Sequence, residues 1–169
     1  YHFHNKDEII ESLFADFERG IDETLTAPVR RPPNVEDIWL FLHLLFESIW
    51  KFRFLYRDIN ELLSRNRILE THFKRIVAHK INTASLICKG LVATGDMKAT
   101  PAEIQALAVN MTVVATYWLS FEFVSDPRKK IDGKSLSRGA FQVMALAAPY
   151  LVGRSRKLFE EVSKNYLTD

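Results

Sequence analysis

The sequence predicts an all-α protein, a helical bundle of about seven helices. Apolar residues recur at spacings of three and four, and Pro, Gly and Asn with helix-start signals separate these segments. No stretch of useful length alternates like a β-strand. With 169 residues, of which 47% are hydrophobic, the chain is long enough to bury one core.

The first helix is predicted to begin near Lys6. The Asn5 side chain is suited to accept from free N–H groups of the first turn, and Glu8 completes the spacing of a capping box. Helical spacing of apolar residues continues to about Leu25, and Pro28 ends the segment. The apolar positions of this helix are Ile9, Ile10, Leu13, Phe14, Phe17 and Ile21.

Three further helices are predicted before residue 96. Asn34 caps a second helix that runs through Tyr56, and the Asp58–Glu61 spacing opens a short third helix to about residue 64. Asn66 starts a fourth helix over roughly 68–94, which Gly95 ends because glycine adopts the left-handed conformation easily.

The remaining three helices begin with the clearest start signal of the sequence. Thr100-Pro101-Ala102-Glu103 combines a Thr cap, proline at the first helical position and glutamate at the third, and the fifth helix runs to about Val124. A sixth helix is expected from Ser135 to Val152, ended by Gly153, and a last one over 155–167.

Composition favours a soluble cytoplasmic protein. The net charge of +2 is too small to indicate a nucleic-acid surface in these residues alone. One cysteine, Cys88, cannot form an internal disulfide, and no segment resembles a signal peptide. Polar residues such as Asn110 and Glu122 interrupt the long apolar stretches, so no membrane span is expected.

No pattern of residues indicates an enzyme. The five histidines form no His-Glu-x-x-His motif, and Cys88 has no neighbouring ligand cluster, so neither a metal site nor a catalytic site is predicted. No cofactor is expected.

The opening segment carries a family resemblance. Tyr1-His2-Phe3-x-Asn5-Lys6-x-Glu8, followed by an amphipathic helix, resembles the junction in tetracycline-repressor-like (TetR) regulators between the DNA-recognition helix and the next helix. The resemblance implies that residues 1–5 end a truncated helix-turn-helix domain, and that residues 6–169 form a ligand-binding and dimerisation domain. It also implies that Tyr1, His2 and Lys6 contact the DNA backbone, as phosphate donors that position without reading sequence.

The fifth and sixth helices are candidates for a homodimer interface. The segment from Ile104 to Val124 is apolar on more than one face, and the sixth helix mixes small and large residues, which permits close helix approach. TetR-like proteins pair these two helices with those of a second copy. The alternative is that both helices fill the core of a monomer. The candidate interface residues are Val113, Leu136, Phe141, Met144 and Ala148.

Aromatic and polar residues of several helices are candidates for a ligand pocket. Such pockets are mostly apolar with a few placed polar groups, so the expected effector is an apolar or amphipathic small molecule. The alternative for each residue is a core position, or in the case of His72 a position facing water. The candidates are Phe46, Trp50, Phe54, Tyr56, His72, Phe73, Asn110, Met111, Tyr117, Trp118 and Phe121.

The resemblance implies a ligand-responsive transcriptional regulator, usually a repressor. Effector binding would favour a conformer in which the first helix tilts, so that the two recognition helices of a dimer no longer match major grooves about 34–36 Å apart. Two other hypotheses stay open at this point: a helical small-molecule carrier or adaptor with no DNA role, and an all-α enzyme. The upstream sequence would distinguish them.

Overall fold

The computed structural model describes residues 6–26, 34–128 and 130–167, and this part of the chain is mostly helical. It contains eight α-helices and one short 3₁₀-helix, with no strand, which confirms the all-α prediction. The elements are α1 (Lys6–Thr26), α2 (Val35–Lys51), α3 (Arg53–Arg57), α4 (Ile59–Arg65), α5 (Arg67–Thr94), α6 (Pro101–Ser125), α7 (Gly133–Ala147), the 3₁₀-helix (Ala148–Tyr150) and α8 (Gly153–Leu167).

Most of the predicted helix boundaries are made by the expected side chains. Asn34 caps α2 in a capping box with Asp37, and Thr100 caps α6 in a capping box with Glu103. Asn66 accepts from the first-turn N–H groups of α5, whose last residue is followed by Gly95 at φ 81°. Local hydrogen bonding therefore sets these four boundaries.

The predicted second helix is divided. A break at Phe52, with φ −110° and ψ 29°, separates α2 from the short α3, where the sequence analysis expected one helix through Tyr56. Asp58 makes no side-chain cap, so the predicted capping box with Glu61 is wrong. Phe52 and Tyr56 are both buried against Phe17 of α1, at ring-centroid distances of 5.1 and 5.6 Å, so tertiary packing accompanies this break.

The predicted sixth helix is shorter than expected. It ends at Ala147, because Pro149 in the following 3₁₀ turn lacks the N–H that an α-helix needs. Gly153, at φ 57°, begins α8 rather than ending the previous helix. An isolated bridge between Met97 and Leu151 then joins the connection before α6 to the connection before α8.

Helix α5 lies at the centre of the packing. It contacts α1 on one side and α6 on the other, while α7 packs against α2 and α6. Helix α8 covers the outer side of α2 and α7 through stacked rings. The residues of this stack are Trp39, Phe141, Phe159 and Tyr166.

One helix of the described chain, α6, is long and apolar enough to cross a membrane by length and composition. The sequence predicts no such segment, because Asn110 and Glu122 interrupt it. The core helix of a soluble protein has the same properties, and α6 buries Leu107, Ala115 and Leu119 in the hydrophobic core. Packing therefore accounts for the apolar residues on one side of α6, and exposed apolar residues remain on the other side.

Gly139 allows α7 to approach its neighbours closely. A Cβ at this position would lie 2.7 Å from Cδ1 of Trp118 and would overlap the ring of Phe46. Both rings are buried. The close packing of α7 on α2 and α6 therefore depends on the missing side chain.

We predict that Gly139→Ala destabilises the fold by about 1–3 kcal/mol, because the added methyl overpacks a rigid aromatic contact. Gly20→Ala is the matched control, since Gly20 is also inside a helix but has no atom within 4 Å of an added Cβ. That substitution is expected to stabilise by about 0.5–1 kcal/mol. Urea unfolding of both variants measures the difference, and equal stability of the two would contradict the close approach.

Candidate ligand-binding site

A small apolar cavity lies between α2, α5 and α6. Its volume is about 40 Å³, which is room for only a few water molecules. The end of α1 and one residue of α7 complete its walls. The lining residues are Leu25, Ile38, Phe41, Leu42, Leu45, Lys80, Thr83, Ala84, Ile87, Met111, Thr112, Ala115 and Val143.

Lys80 is the one charged side chain in this lining. It is 4% exposed, and its Nζ donates to Tyr56 Oη at 3.1 Å and to Thr116 Oγ1 at 3.4 Å. The same Nζ lies 5.0 Å from the centre of the Tyr56 ring. Among the described residues, no carboxylate forms an ion pair with it. The amine is therefore buried with hydroxyl and aromatic partners.

Burial changes the ionisation of both groups of this pair. Loss of hydration lowers the pKa of Lys80 to about 7, because the interior disfavours the ammonium form. Burial raises the pKa of Tyr56 well above its usual value, so the phenol stays neutral. Near neutral pH the amine is thus present in both charged and uncharged forms.

The position of Lys80 follows from the periodicity of α5. Six buried residues of this helix are spaced alternately by four and three, and Lys80 is the fourth of them. They are Leu69, Phe73, Ile76, Lys80, Thr83 and Ile87. Lys80 is not among the site residues that the sequence predicts. Its place within an apolar stripe was the signal that could have identified it.

The cavity is directly connected to the end of α1. Leu25 of α1 lines the cavity, and its backbone carbonyl accepts a hydrogen bond of 3.2 Å from Thr83 Oγ1 of α5. Carbonyls in the last turn of a helix have no partner within the helix, so Thr83 satisfies one of these groups. The end of α1 is therefore part of the cavity wall and is hydrogen-bonded to α5.

Polar pairs run alongside the apolar contact between α1 and α5. The carboxylate of Glu18 lies 2.6 Å from the His72 ring and 3.3 Å from the Arg75 guanidinium. The carboxylate of Asp22 lies 2.9 Å from the His79 ring. On the buried side, Phe14 and Phe17 of α1 insert into the core. The two helices are therefore joined along several turns.

The predicted pocket residues separate into several places. Met111 lines the cavity, and Tyr56 lies next to it as a partner of Lys80. Phe73 packs on the Tyr56 ring at 6.0 Å. Phe46 is buried in the hydrophobic core.

Other predicted pocket residues lie elsewhere. Trp118 is buried and donates through Nε1 to the Ser135 carbonyl at 2.9 Å. His72 belongs to the α1–α5 contact. Asn110, Tyr117 and Phe121 are exposed on α6.

A more open groove contains Trp50 and Phe54, the last two of the predicted pocket residues. It has a volume of about 340 Å³ and lies between α2, α3 and the end of α6. Arg53 stacks on the Trp50 ring at 4.5 Å, and Arg57 stacks on Phe123 at 5.1 Å. Both cations of this groove thus stack on aromatic rings and are exposed, whereas the amine of Lys80 is buried.

The predicted interface residues differ in exposure. Val113 is 50% exposed, and Leu136 and Phe141 are half-buried. Met144 and Ala148 are buried within the same chain, at 1% and 7% exposure. The outward face of α6 carries a continuous apolar stripe of exposed residues. They are Val109, Val113, Tyr117, Phe121 and Val124.

The residues expected to contact DNA are at the edge of what the structure describes. Tyr1 and His2 lie outside the described residues, and Lys6 is the first residue of α1, with a side chain that is also outside them.

Within the described chain, no group of three or more His, Cys, Asp or Glu side chains is arranged to hold a metal ion. Cys88 is buried, and burial raises its pKa to about 11.

Comparison with known proteins assigns the family. A family model described as "TetR: Bacterial transcriptional repressor" matches residues 16–159. The chain belongs to the TetR family. Family and fold together identify this TetR-family protein as a transcriptional regulator, which supports that hypothesis over the carrier and the enzyme.

A solved TetR-family structure has the same fold. The crystal structure of a TetR-family transcriptional regulator from Marinobacter aquaeolei VT8 superposes with a TM-score of 0.86 at 28% sequence identity. The match covers 98% of this chain and 79% of that chain. No curated protein matches this TetR-family chain.

We predict that Lys80→Met stabilises the protein at pH 7 by about 1–3 kcal/mol, because it removes a buried amine without an acidic partner. Below pH 7 both folded and unfolded states bind the Lys80 proton, so the burial cost is full. As the pH rises from 7 to about 10, the folded state has lost a proton that the unfolded state keeps, and the advantage of methionine shrinks.

Thermal unfolding between pH 6 and 10 measures this difference. Lys89→Met is the matched control, since Lys89 lies on the exposed side of the same helix. This control should change stability little at any pH. A pH-independent difference between Lys80→Met and the parent would contradict the buried amine.

Proposed function

We propose that this protein is a ligand-responsive repressor, in which occupation of the α2–α5–α6 cavity controls operator binding by way of α1. It acts as a cytoplasmic homodimer and binds DNA through a helix-turn-helix domain that precedes Lys6. The observation that carries the proposal is that Leu25 at the end of α1 lines the cavity and bonds to Thr83 of α5.

The size of the cavity supports a switch. A volume of about 40 Å³ is too small for most metabolites, so a ligand binds only if the surrounding helices move apart. A ligand shifts an equilibrium between two conformers only when it binds them unequally. Here the wider conformer accepts the ligand and the narrow conformer excludes it, which supplies that inequality.

The direction of the response follows from the placement of α1. Widening the cavity displaces the Leu25 wall, and the buried face of α1 connects this end with its beginning at Lys6. In a dimer, a tilt of both α1 helices changes the distance between two DNA-reading helices, which must match successive major grooves. The ligand therefore acts as an inducer that releases DNA.

The opening residues fit a contact with the phosphate backbone. The resemblance places Tyr1, His2 and Lys6 beside DNA, and a phenol, an imidazole and an ammonium all donate to phosphate oxygens. Lys6 begins α1 directly, so a rotation of α1 moves this contact as well.

The exposed stripe of α6 supports the dimer. Five apolar side chains from Val109 to Val124 share its outward face, and an apolar surface of this kind is typical of a protein interface. A second copy related by two-fold symmetry would cover this stripe with its own α6 and α7, forming a four-helix bundle. In this arrangement Val113 and Leu136 contact the partner, while Met144 and Ala148 support α7 from inside the subunit.

We predict that Val113→Glu converts the dimer to a monomer and weakens operator binding, because it places a charge in the centre of an apolar interface. Sedimentation of the protein at micromolar concentration measures the oligomeric state. Leu40→Glu is the matched control, since Leu40 is 63% exposed on α2, away from the stripe, and should leave the dimer intact. A variant Val113→Glu that stays dimeric would overturn this interface.

The regulatory proposal is tested with the intact protein and an operator selected from a pool of random duplexes. Hydrophobic metabolites that raise the thermal stability of the protein are then titrated into the protein–operator complex. We expect a tight-binding compound to weaken operator affinity by about 5–150-fold, the usual range of allosteric coupling. Unchanged operator affinity at saturating ligand would refute the proposal.

Thr83→Val tests the connection between the cavity and α1. It removes the hydroxyl that bonds the Leu25 carbonyl and keeps the shape of the side chain, at a cost of about 1 kcal/mol of stability. We expect the ratio of operator affinities without and with saturating ligand to fall about fivefold. Thr71→Val, at an exposed position of α5, should leave this ratio unchanged.

A further inference from the structure

Lys80 is a costly residue for the position that it occupies. A buried amine loses its hydration, and an apolar side chain of similar volume would make a more stable core. Its two partners, Tyr56 Oη and Thr116 Oγ1, are neutral hydroxyls that do not balance its charge. Burial of a titratable group at the wall of a cavity, at a cost in folding stability, is typical of functional sites.

Lys80 also retains unused capacity for hydrogen bonding. An ammonium has three N–H donors, and two of them are directed to Tyr56 and Thr116. Within the described chain, Nζ makes these two hydrogen bonds and no third one. The phenol of Tyr56 accepts from Lys80, which leaves its own O–H able to donate to a bound group.

The rest of the cavity wall is suited to hydrocarbon. The helices that face Lys80 contribute Leu42 and Leu45 from α2, Ala115 from α6 and Val143 from α7. Met111 adds an unbranched side chain, which adapts easily to ligands of different shape. Among the described residues, Tyr56 is the titratable side chain in contact with Lys80, and its phenol stays neutral.

We propose that the effector of this cavity is an amphipathic monocarboxylate, whose carboxylate forms an ion pair with Lys80 and whose hydrocarbon chain lies along the apolar wall. The inference rests on the proposed function, because it names the ligand of the same cavity. A single buried cation matches one negative charge. A dianionic head group, such as a phosphate monoester, would leave one charge unbalanced in a dry site.

Binding of a carboxylate then changes the number of protons bound by Lys80. With its pKa near 7, part of the Lys80 population is uncharged at pH 7 in the free protein. A bound carboxylate favours the ammonium form, so the complex takes up a fraction of a proton from the solvent. A neutral ligand of the same chain length takes up none.

The experiment compares ligands that differ only in the head group. Binding of hexanoate, octanoate, decanoate and dodecanoate to the intact protein is measured by titration calorimetry at pH 7 in two buffers of different ionisation enthalpy. Decanol and methyl decanoate are the neutral probes. We expect the best carboxylate to bind at least about 30-fold more tightly than its neutral counterpart, with a heat that depends on the buffer.

Variants at two lysines of α5 separate an ion pair from simple adsorption. Lys80→Met should weaken carboxylate binding at least about 30-fold, leave decanol binding nearly unchanged and abolish the buffer dependence. Lys89→Met, at an exposed position of the same helix, should change none of these. Equal affinity of carboxylate and alcohol, or carboxylate binding that Lys80→Met does not alter, would overturn the inference.

Failure of this inference differs from failure of the proposed function. If carboxylates bind through Lys80 but operator affinity stays unchanged, the ligand class is confirmed and the regulatory proposal is refuted. If a neutral compound releases operator DNA while carboxylates bind no better than alcohols, the regulatory proposal is confirmed and the ligand class is refuted.

Discussion

The packing of α5 between α1 and α6 is the contact on which the rest of this molecule depends. One face of α5 carries the histidines that pair with acidic residues of α1, and the buried stripe from Leu69 to Ile87 faces the core. Because the same helix forms a wall of the cavity, the cavity and α1 share one structural support. A small movement of α5 would therefore change both the shape of the cavity and the packing of α1.

Much of the fold could be predicted from local chemistry. The caps at Asn34, Asn66 and Thr100 and the stop at Gly95 are formed by short-range hydrogen bonds and backbone preference, which a sequence shows directly. The break at Phe52 could not be predicted, because no Pro or Gly marks it and it coincides with contacts between distant aromatic rings. The early end of α7 has a signal in the sequence, since Pro149 lacks the N–H that a continuing α-helix needs.

The candidate site was harder to predict than the fold. Aromatic residues at helical spacing indicate burial, but they do not indicate which side of a helix faces a cavity and which faces another helix. Phe46 and Trp118 fill the core, whereas Tyr117 and Phe121, on the same helix as Trp118, are exposed. The informative residue was instead a polar one in an apolar stripe. Lys80 breaks the pattern of α5, and such a local inconsistency is expected at functional positions.

The bridge between Met97 and Leu151 restricts how this bundle can deform. Hydrogen bonds from Lys98 N to Tyr150 O and from Val152 N to Asp96 O fasten the connection between α5 and α6 to the connection between α7 and α8. Four helices are thereby tied together at one end. A separation of α5 from α6 of the kind proposed above would therefore be greatest at the opposite end of the bundle, as a hinge motion about this bridge.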